Sequence, residues 1–230
     1  RSGKGAFIPV IAKIEKPQAL RDLDAIVQAA DAIMVARGDL GVEMDVAEVP
    51  IMQRRLIATC DQWGKPCIVA TQMLESMITS ATPTRAEASD VANAVFSGAD
   101  ALMLSGETAT GDHPALAASM MSRIATEAET SPFYESAPYA TRATSVAEAI
   151  ARGAVNTARE IGAKFLVAFT ESGSSALNVS LARPTVPIIA FSPNVQSLRA
   201  MNLYWGVIPR EMPQITDLDQ LVDWATADLM

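Results

Sequence analysis

Four short apolar runs punctuate the first half of the chain: FIPVIAKIE (7–15), AIMVARG (32–38), CIVATQ (67–72) and ALMLSG (101–106). Each is followed by a stretch with helical spacing, and this alternation predicts βα units on a parallel sheet. Leu20, Leu23, Val27 and Ala30 recur every three or four residues, as do Leu116, Met120 and Ile124, and both stripes are read as core faces. Helix starts are written locally. Pro17 suits a first turn, Thr84 with Glu87 spells a capping box just after Pro83, and Ser145 with Glu148 repeats it. The segment SPFYESAPYATRAT (131–144) carries two prolines and no apolar period, so it is read as a linker. The expected units are 1–130, a linker over 131–143, and 144–230. In the last of these, Val146, Ile150, Ala154 and Ala158 predict a helix, and KFLVAFT (164–170) and VPIIAF (186–191) predict strands of a second, smaller α/β domain.

Composition narrows the function. Half of the 230 residues are hydrophobic, only 5% aromatic and 19% charged, the profile of helices packed on buried strands. A net charge of −8 repels a phosphate backbone, so nucleic-acid and anionic-membrane partners are not expected. A small anionic substrate is still accommodated where a few cations and N–H groups share one cleft. Cys60 and Cys67 are too few for a disulfide framework, and with His113 as the single histidine no zinc-ligand spacing exists. A reducing, cytoplasmic setting is expected. The longest apolar runs fall far short of the roughly 20 residues that span a bilayer. No charged-then-apolar leader opens the chain, and its start at Arg1 suits a fragment.

Period two puts Ile11, Lys13 and Glu15 on one strand face and Val10, Ala12 and Ile14 on the other. The Lys13–Glu15 pair reads either as a salt bridge closing the strand end or as catalytic charge. At the ends of the next strands stand Asp39, then Thr71, then Ser105 with Glu107, where parallel α/β folds build active sites. Asp39 reads equally as a helix N-cap or a Mg²⁺ ligand, and one carboxylate can do both. Thr71 and Ser105 taken singly are ordinary loop hydroxyls, and His113 in GDHP reads as a loop residue. No Ser/His/Asp or Cys/His system and no glycine-rich phosphate loop of Walker or dinucleotide type can be assembled, so phosphate chemistry here would rest on lysine and metal. In the second unit TESGSS (170–175) sets a glycine and hydroxyls before a helix, an arrangement able to hold a phosphate.

The runs IAKIEKPQAL, IMVARGDLGVE, ATQMLESM, TPTRAEASDVANAV and ALMLSGETATGDHP together resemble the pyruvate kinase family. The resemblance implies an α/β protein: a partial (β/α)₈ TIM-type barrel, its last four βα units, followed by most of a smaller C-terminal α/β regulatory domain. It implies phosphoryl transfer from phosphoenolpyruvate to ADP, giving pyruvate and ATP. Lys13 matches the lysine that neutralises the phosphoryl group, and Glu15 and Asp39 match the carboxylates that hold Mg²⁺ or Mn²⁺. The N–H groups of Gly38 and Asp39 match those that bind the substrate carboxylate. Thr71 matches the threonine near the enolate carbon, with Ser105 and Glu107 behind it as a proton path. Thr170, Glu171, Ser172, Gly173, Ser174 and Ser175 fall where family members bind a sugar-phosphate or nucleotide effector. K⁺ and a homotetramer are implied for a full-length enzyme. The first four βα units and a lid domain have no counterpart in the chain, so by itself it is expected to be weakly active or inactive. Two alternatives stay open: a Mg²⁺-dependent aldolase or lyase acting through pyruvate enolate, and a non-catalytic sugar-phosphate-binding fragment.

Overall fold

A computed structural model of the chain describes residues 8–134, 143, 145–215 and 217–229. Two parallel sheets organise it. The first has the order β1 (Ile11–Ile14), β2 (Ala32–Ala36), β3 (Cys67–Ala70), β4 (Ala101–Met103), with Ile14 opposite Val35 and Ala36 opposite Ala70. The helices between these strands are α1 (Leu23–Ala29), α2 (Arg37–Glu43), α3 (Val49–Gln62) and α4 (Arg85–Phe96), and α5 (Gly106–Ala109) and α6 (Pro114–Thr130) follow β4. Strands β2 and β3 are almost wholly buried, the signature of parallel strands covered on both faces. All four strands are shorter than their apolar runs. The first begins only at Ile11, two residues after Pro9, which has no N–H to give a ladder.

The predicted stripe on α1 is confirmed, with Leu23, Val27 and Ala30 buried and Leu20 packed against them. They join Ile33, Leu56, Val69, Met73, Met77 and Val91 in one core, where each large side chain contributes about 1.5–3 kcal/mol. On α6 the expected face is displaced: Leu116 is exposed, Met120 and Ile124 are only partly buried, and Ala117, Met121 and Ala128 point inward. The small residues let α6 approach α4 and α5 closely, and that packing outweighs the apolar character of Leu116. At the start of α4, Thr84 and Glu87 form the full reciprocal capping box.

The second sheet has the order β5 (Leu166–Phe169), β6 (Ile188–Ser192), β7 (Val207–Glu211). Around it lie α7 (Val146–Glu160), α8 (Ser174–Leu181), α9 (Val195–Met201) and α10 (Leu218–Leu229). Here too the predicted helix face is turned by about one residue. Of the expected face Val146, Ile150 and Ala154 are exposed and only Ala158 is buried, joined inward by Ala151 and Val155 on the helix that packs against α8. At the N-terminus of α7, Ser145 accepts from the Glu148 N–H, but the Glu148 carboxylate pairs with Arg152 instead of closing the box. Strand β7 carries Pro209, tolerated because this is an edge strand; the proline and the charged Arg210 and Glu211 mask its apolar period. The T-shaped contact of Phe191 with Trp224, ring centroids 5.1 Å apart, seats α10 on the sheet.

Residues 135–142 of the expected linker lie outside the described residues. Cys60 and Cys67 are free and buried, and a hydrogen bond to Cys60 together with burial pushes the Cys67 thiol well up. Among the described residues no helix is long and apolar enough to cross a membrane.

Candidate active site

At the carboxyl ends of β1 to β3 the strands deliver one cluster. Lys13 lies in β1 and Glu15 one residue beyond it; Lys13 Nζ is 2.6 Å from Glu15 Oε2 and 2.9 Å from Asp39 Oδ2. The three side chains are about half exposed, open to a ligand. Hydrogen bonds to Glu15 and then to Asp39 raise the Lys13 ammonium above the ordinary lysine value, so it is fully charged at neutral pH.

Asp39 is not a helix cap. Strand β2 ends at Ala36 and α2 begins at once, with Ala36 as N-cap and no side-chain cap bond. Asp39 therefore sits inside the first turn, favoured there by the helix dipole, and its carboxylate is directed to Lys13. This corrects the expectation of a strand reaching Gly38 and excludes one of the two readings of Asp39.

Gly38 connects this cluster to the next strand end. Its N–H donates to Thr71 Oγ1 at 2.8 Å, and the Thr71 hydroxyl donates to the Ala70 carbonyl at 2.6 Å. A Cβ on residue 38 would stand 3.4 Å from that oxygen and 3.5 Å from the Gln72 amide carbon, ordinary van der Waals contact, so the approach itself does not demand glycine. Glu107, only 2% exposed, ties the last two loops together: Oε1 accepts from Leu74 N–H at 3.1 Å and Oε2 from Ser105 N–H at 2.7 Å. Both its oxygens are thus occupied by main chain, the geometry of a brace. Ser105 precedes α5 as its N-cap residue.

The donor set suits a divalent cation. Two carboxylates converge on one point, at present the ammonium, and Mg²⁺ typically takes one or two carboxylates with phosphate oxygens and water. No group of three or more His, Cys, Asp or Glu able to hold a metal occurs among the described residues, so any such ion needs ligands from its substrate.

The loop 170–175 belongs to the second sheet. Gly173, at φ 88°, precedes α8 without a side-chain cap, and its N–H donates to Thr170 Oγ1 at 2.9 Å. Glu171, Ser172, Ser174 and Ser175 are exposed, with Ser172 and Ser174 hydroxyls 3.1 Å apart and the Glu171 carbonyl accepting from Ser197 Oγ at 2.7 Å.

One residue beside the cluster escaped the sequence reading. Arg37, 7% exposed, bonds to the carbonyls of Thr71 and Gln72 and pairs with Asp90 on α4. A lone arginine where an apolar strand meets Gly38 was the available signal, but its partners lie 16 to 53 residues away.

Sheet, helices and strand-end charges define a parallel β/α protein of barrel type, with one lysine and two carboxylates gathered at the carboxyl end of its strands. Comparison with known proteins gives the family. A family model described as the pyruvate kinase barrel domain matches residues 2–118, and one described as the pyruvate kinase alpha/beta domain matches residues 148–230. The chain is 50% identical over 220 residues to a pyruvate kinase of Agrobacterium vitis, covering 94% of this chain and 46% of that protein. It is 46% identical to a pyruvate kinase of Corynebacterium glutamicum, covering 95% and 46%. A solved structure described as a pyruvate kinase from Cryptosporidium parvum superposes with a TM-score of 0.91 at 39% identity, over 96% of this chain and 46% of the other. The chain belongs to the pyruvate kinase family, and it spans about half the length of these relatives.

Proposed function

We propose that this chain carries the phosphoryl-transfer half of a pyruvate kinase site, acting on phosphoenolpyruvate and ADP to give pyruvate and ATP in glycolysis. The observation that carries the reading is the meeting of Lys13 with both Glu15 and Asp39 at the strand ends, within 2.9 Å. Phosphoryl transfer spreads negative charge over the equatorial oxygens, and a fixed ammonium neutralises it. Glu15 and Asp39 would hold Mg²⁺ or Mn²⁺, which supplies Lewis-acid neutralisation of the same phosphate when bound.

The Gly38 and Asp39 N–H groups bind the substrate carboxylate in this reading. Gly38 is engaged with Thr71 Oγ1, so carboxylate binding turns the threonine hydroxyl away from it. That movement frees the hydroxyl to deliver a proton toward the enolate carbon, with Ser105 next along the path and Glu107 bracing both loops. Thr170 to Ser175 are proposed as the effector loop, residues 131–143 as the linker between the two domains, and K⁺, a homotetramer and a cytoplasmic setting as properties of an enzyme of full family length.

The test is a coupled assay of the chain alone and of a fusion with the remainder of the Agrobacterium vitis relative. We expect little turnover from the chain, ADP-dependent turnover from the fusion, and loss of it in Lys13→Met. Near-normal turnover by the isolated chain would refute the expectation of weak activity. Nucleotide-free cleavage of oxaloacetate would replace the kinase reading with a lyase, and binding of sugar phosphates without any turnover would reduce the chain to an effector-binding piece.

A further inference from the structure

We propose that Arg37 is a positioning residue, which holds Thr71 in a left-handed backbone conformation and so fixes where its hydroxyl stands. For the reaction itself this rests on the function proposed above.

Thr71 and Gln72 have φ of 69° and 52°, two of the three non-glycine residues with positive φ among the described residues. For a β-branched residue such as Thr71 that region is strongly disfavoured, and two consecutive non-glycine residues in it persist only if something over-determines them. The guanidinium of Arg37 supplies it. Nη2 donates to the Thr71 carbonyl at 2.9 Å and the Gln72 carbonyl at 3.1 Å, and Nε donates to the Thr71 carbonyl at 3.3 Å. Nη2 also stands 2.8 Å from Met73 Sδ. On the other side Nη1 donates to Asp90 Oδ2 at 2.5 Å and to Gln53 Oε1 at 3.5 Å. Only a planar fork with five donors grips two carbonyls and a carboxylate at once; an ammonium on a flexible stem does not.

Thr71 is gripped from both ends by consecutive residues. The Arg37 side chain takes its carbonyl, and the Gly38 N–H takes its hydroxyl. Asp39, which bonds Lys13, follows directly. The spacing between the threonine hydroxyl and the charged cluster is therefore written through residues 37 to 39, with Asp90 anchoring the guanidinium against α4.

The experiment reads the backbone of the chain directly. In the labelled wild type, Thr71, Gln72 and Arg183, the three left-handed residues, should each give a strong intraresidue HN–Hα Overhauser effect. Arg37→Lys should lose it at Thr71 and Gln72 and keep it at Arg183, and methylguanidine should restore it in Arg37→Ala. Retention at Thr71 and Gln72 in folded Arg37→Lys and Arg37→Ala would overturn the proposal. Should both variants unfold, stability decides. Gln72→Gly relieves the strain at that residue, so the melting-temperature loss caused by Arg37→Lys should shrink in its background; an undiminished loss would overturn the proposal.

In the active fusion Arg37→Lys should lower kcat at least about tenfold, since small misplacements at a reacting centre cost that much or more, with KM for ADP unchanged. An unchanged kcat would make Arg37 a merely structural residue. Lys13→Met separates the two claims: if it turns over like wild type, the reading of the reaction falls while the backbone result on Arg37 stands.

Discussion

Arg183 Nη1 lies 2.8 Å from Asp100 Oδ1, an ion pair closed between residues 83 positions apart and almost fully removed from solvent. Arg183 Nη2 donates to the Gly98 carbonyl at 3.1 Å, and Asp100 Oδ2 accepts from the Cys67 N–H at 2.8 Å. The guanidinium also stands 5.5 Å from the Trp205 ring centroid, within cation–π range. Asp100 and Cys67 stand at the amino ends of β4 and β3, so this bridge ties the α8–β6 connection to the first sheet at the end opposite the Lys13 cluster. In barrel-type folds that end serves stability.

Removing one partner of such a pair leaves a buried charge uncompensated. Arg183→Ala should destabilise the chain by about 3–5 kcal/mol in denaturant unfolding. Arg183→Lys should recover only part of this, because one ammonium cannot serve Asp100, Gly98 and the Trp205 face together. A loss below about 1 kcal/mol, the level of a surface pair, would show that the buried pair contributes no more than an exposed one.

Glu87 predicts an acid-sensitive contribution. Burial pushes its carboxyl up, but donors from Ser76 and Thr84, main chain and hydroxyl alike, outweigh this and hold it below the usual range. A depressed folded value means that the stabilisation is complete above the unfolded value of about 4.3 and is lost as pH falls through the folded one. Glu87→Ala should cost about 1 kcal/mol at pH 7, and the gap to wild type should narrow as the pH falls below the unfolded value of about 4.3. A gap independent of pH would contradict this assignment.

Lys13→Met should separate activity from stability. The side chain is about half exposed and its carboxylate partners remain solvated, so the melting temperature should barely move. Turnover of the fusion should fall about 10²–10³-fold, as when a preorganised electrostatic group is removed. Equal losses in both would indicate a structural lysine.

Gly173→Val tests the proposed effector loop. Valine is strained at φ 88°, while its Cβ would meet Met201 and Tyr204 only at ordinary contact distance, 3.4 Å. Calorimetric titration with sugar mono- and bisphosphates should show binding to wild type and none to the variant. Equal binding by both would remove the loop from consideration.

Much of this was legible in the residues alone because it is local. The Thr84 capping box spans four positions, the alternation that isolates Lys13 and Glu15 spans five, and the buried strands announce themselves by unbroken apolar runs. Helix faces were legible only to within about one residue. The buried Ala151 and Ala158 of α7 have less hydrophobic weight than the exposed Val146 and Ile150, and an isolated sequence ranks positions by that weight.

What the amino-acid order settled by itself was the succession of βα units and the types of group placed at each strand end, since both follow from periods of two and 3.6 residues. Only the tertiary structure decided that Asp39 turns to Lys13 and does not cap a helix, that Arg37 grips the left-handed backbone at Thr71, and that Arg183 reaches Asp100. The first two depend on strands stacked side by side and the third on a loop of the second unit reaching the first sheet, which together bring residues 26 to 83 positions apart into contact. The cost of leaving a buried guanidinium unpaired then fixes its partners, and no local pattern records that cost.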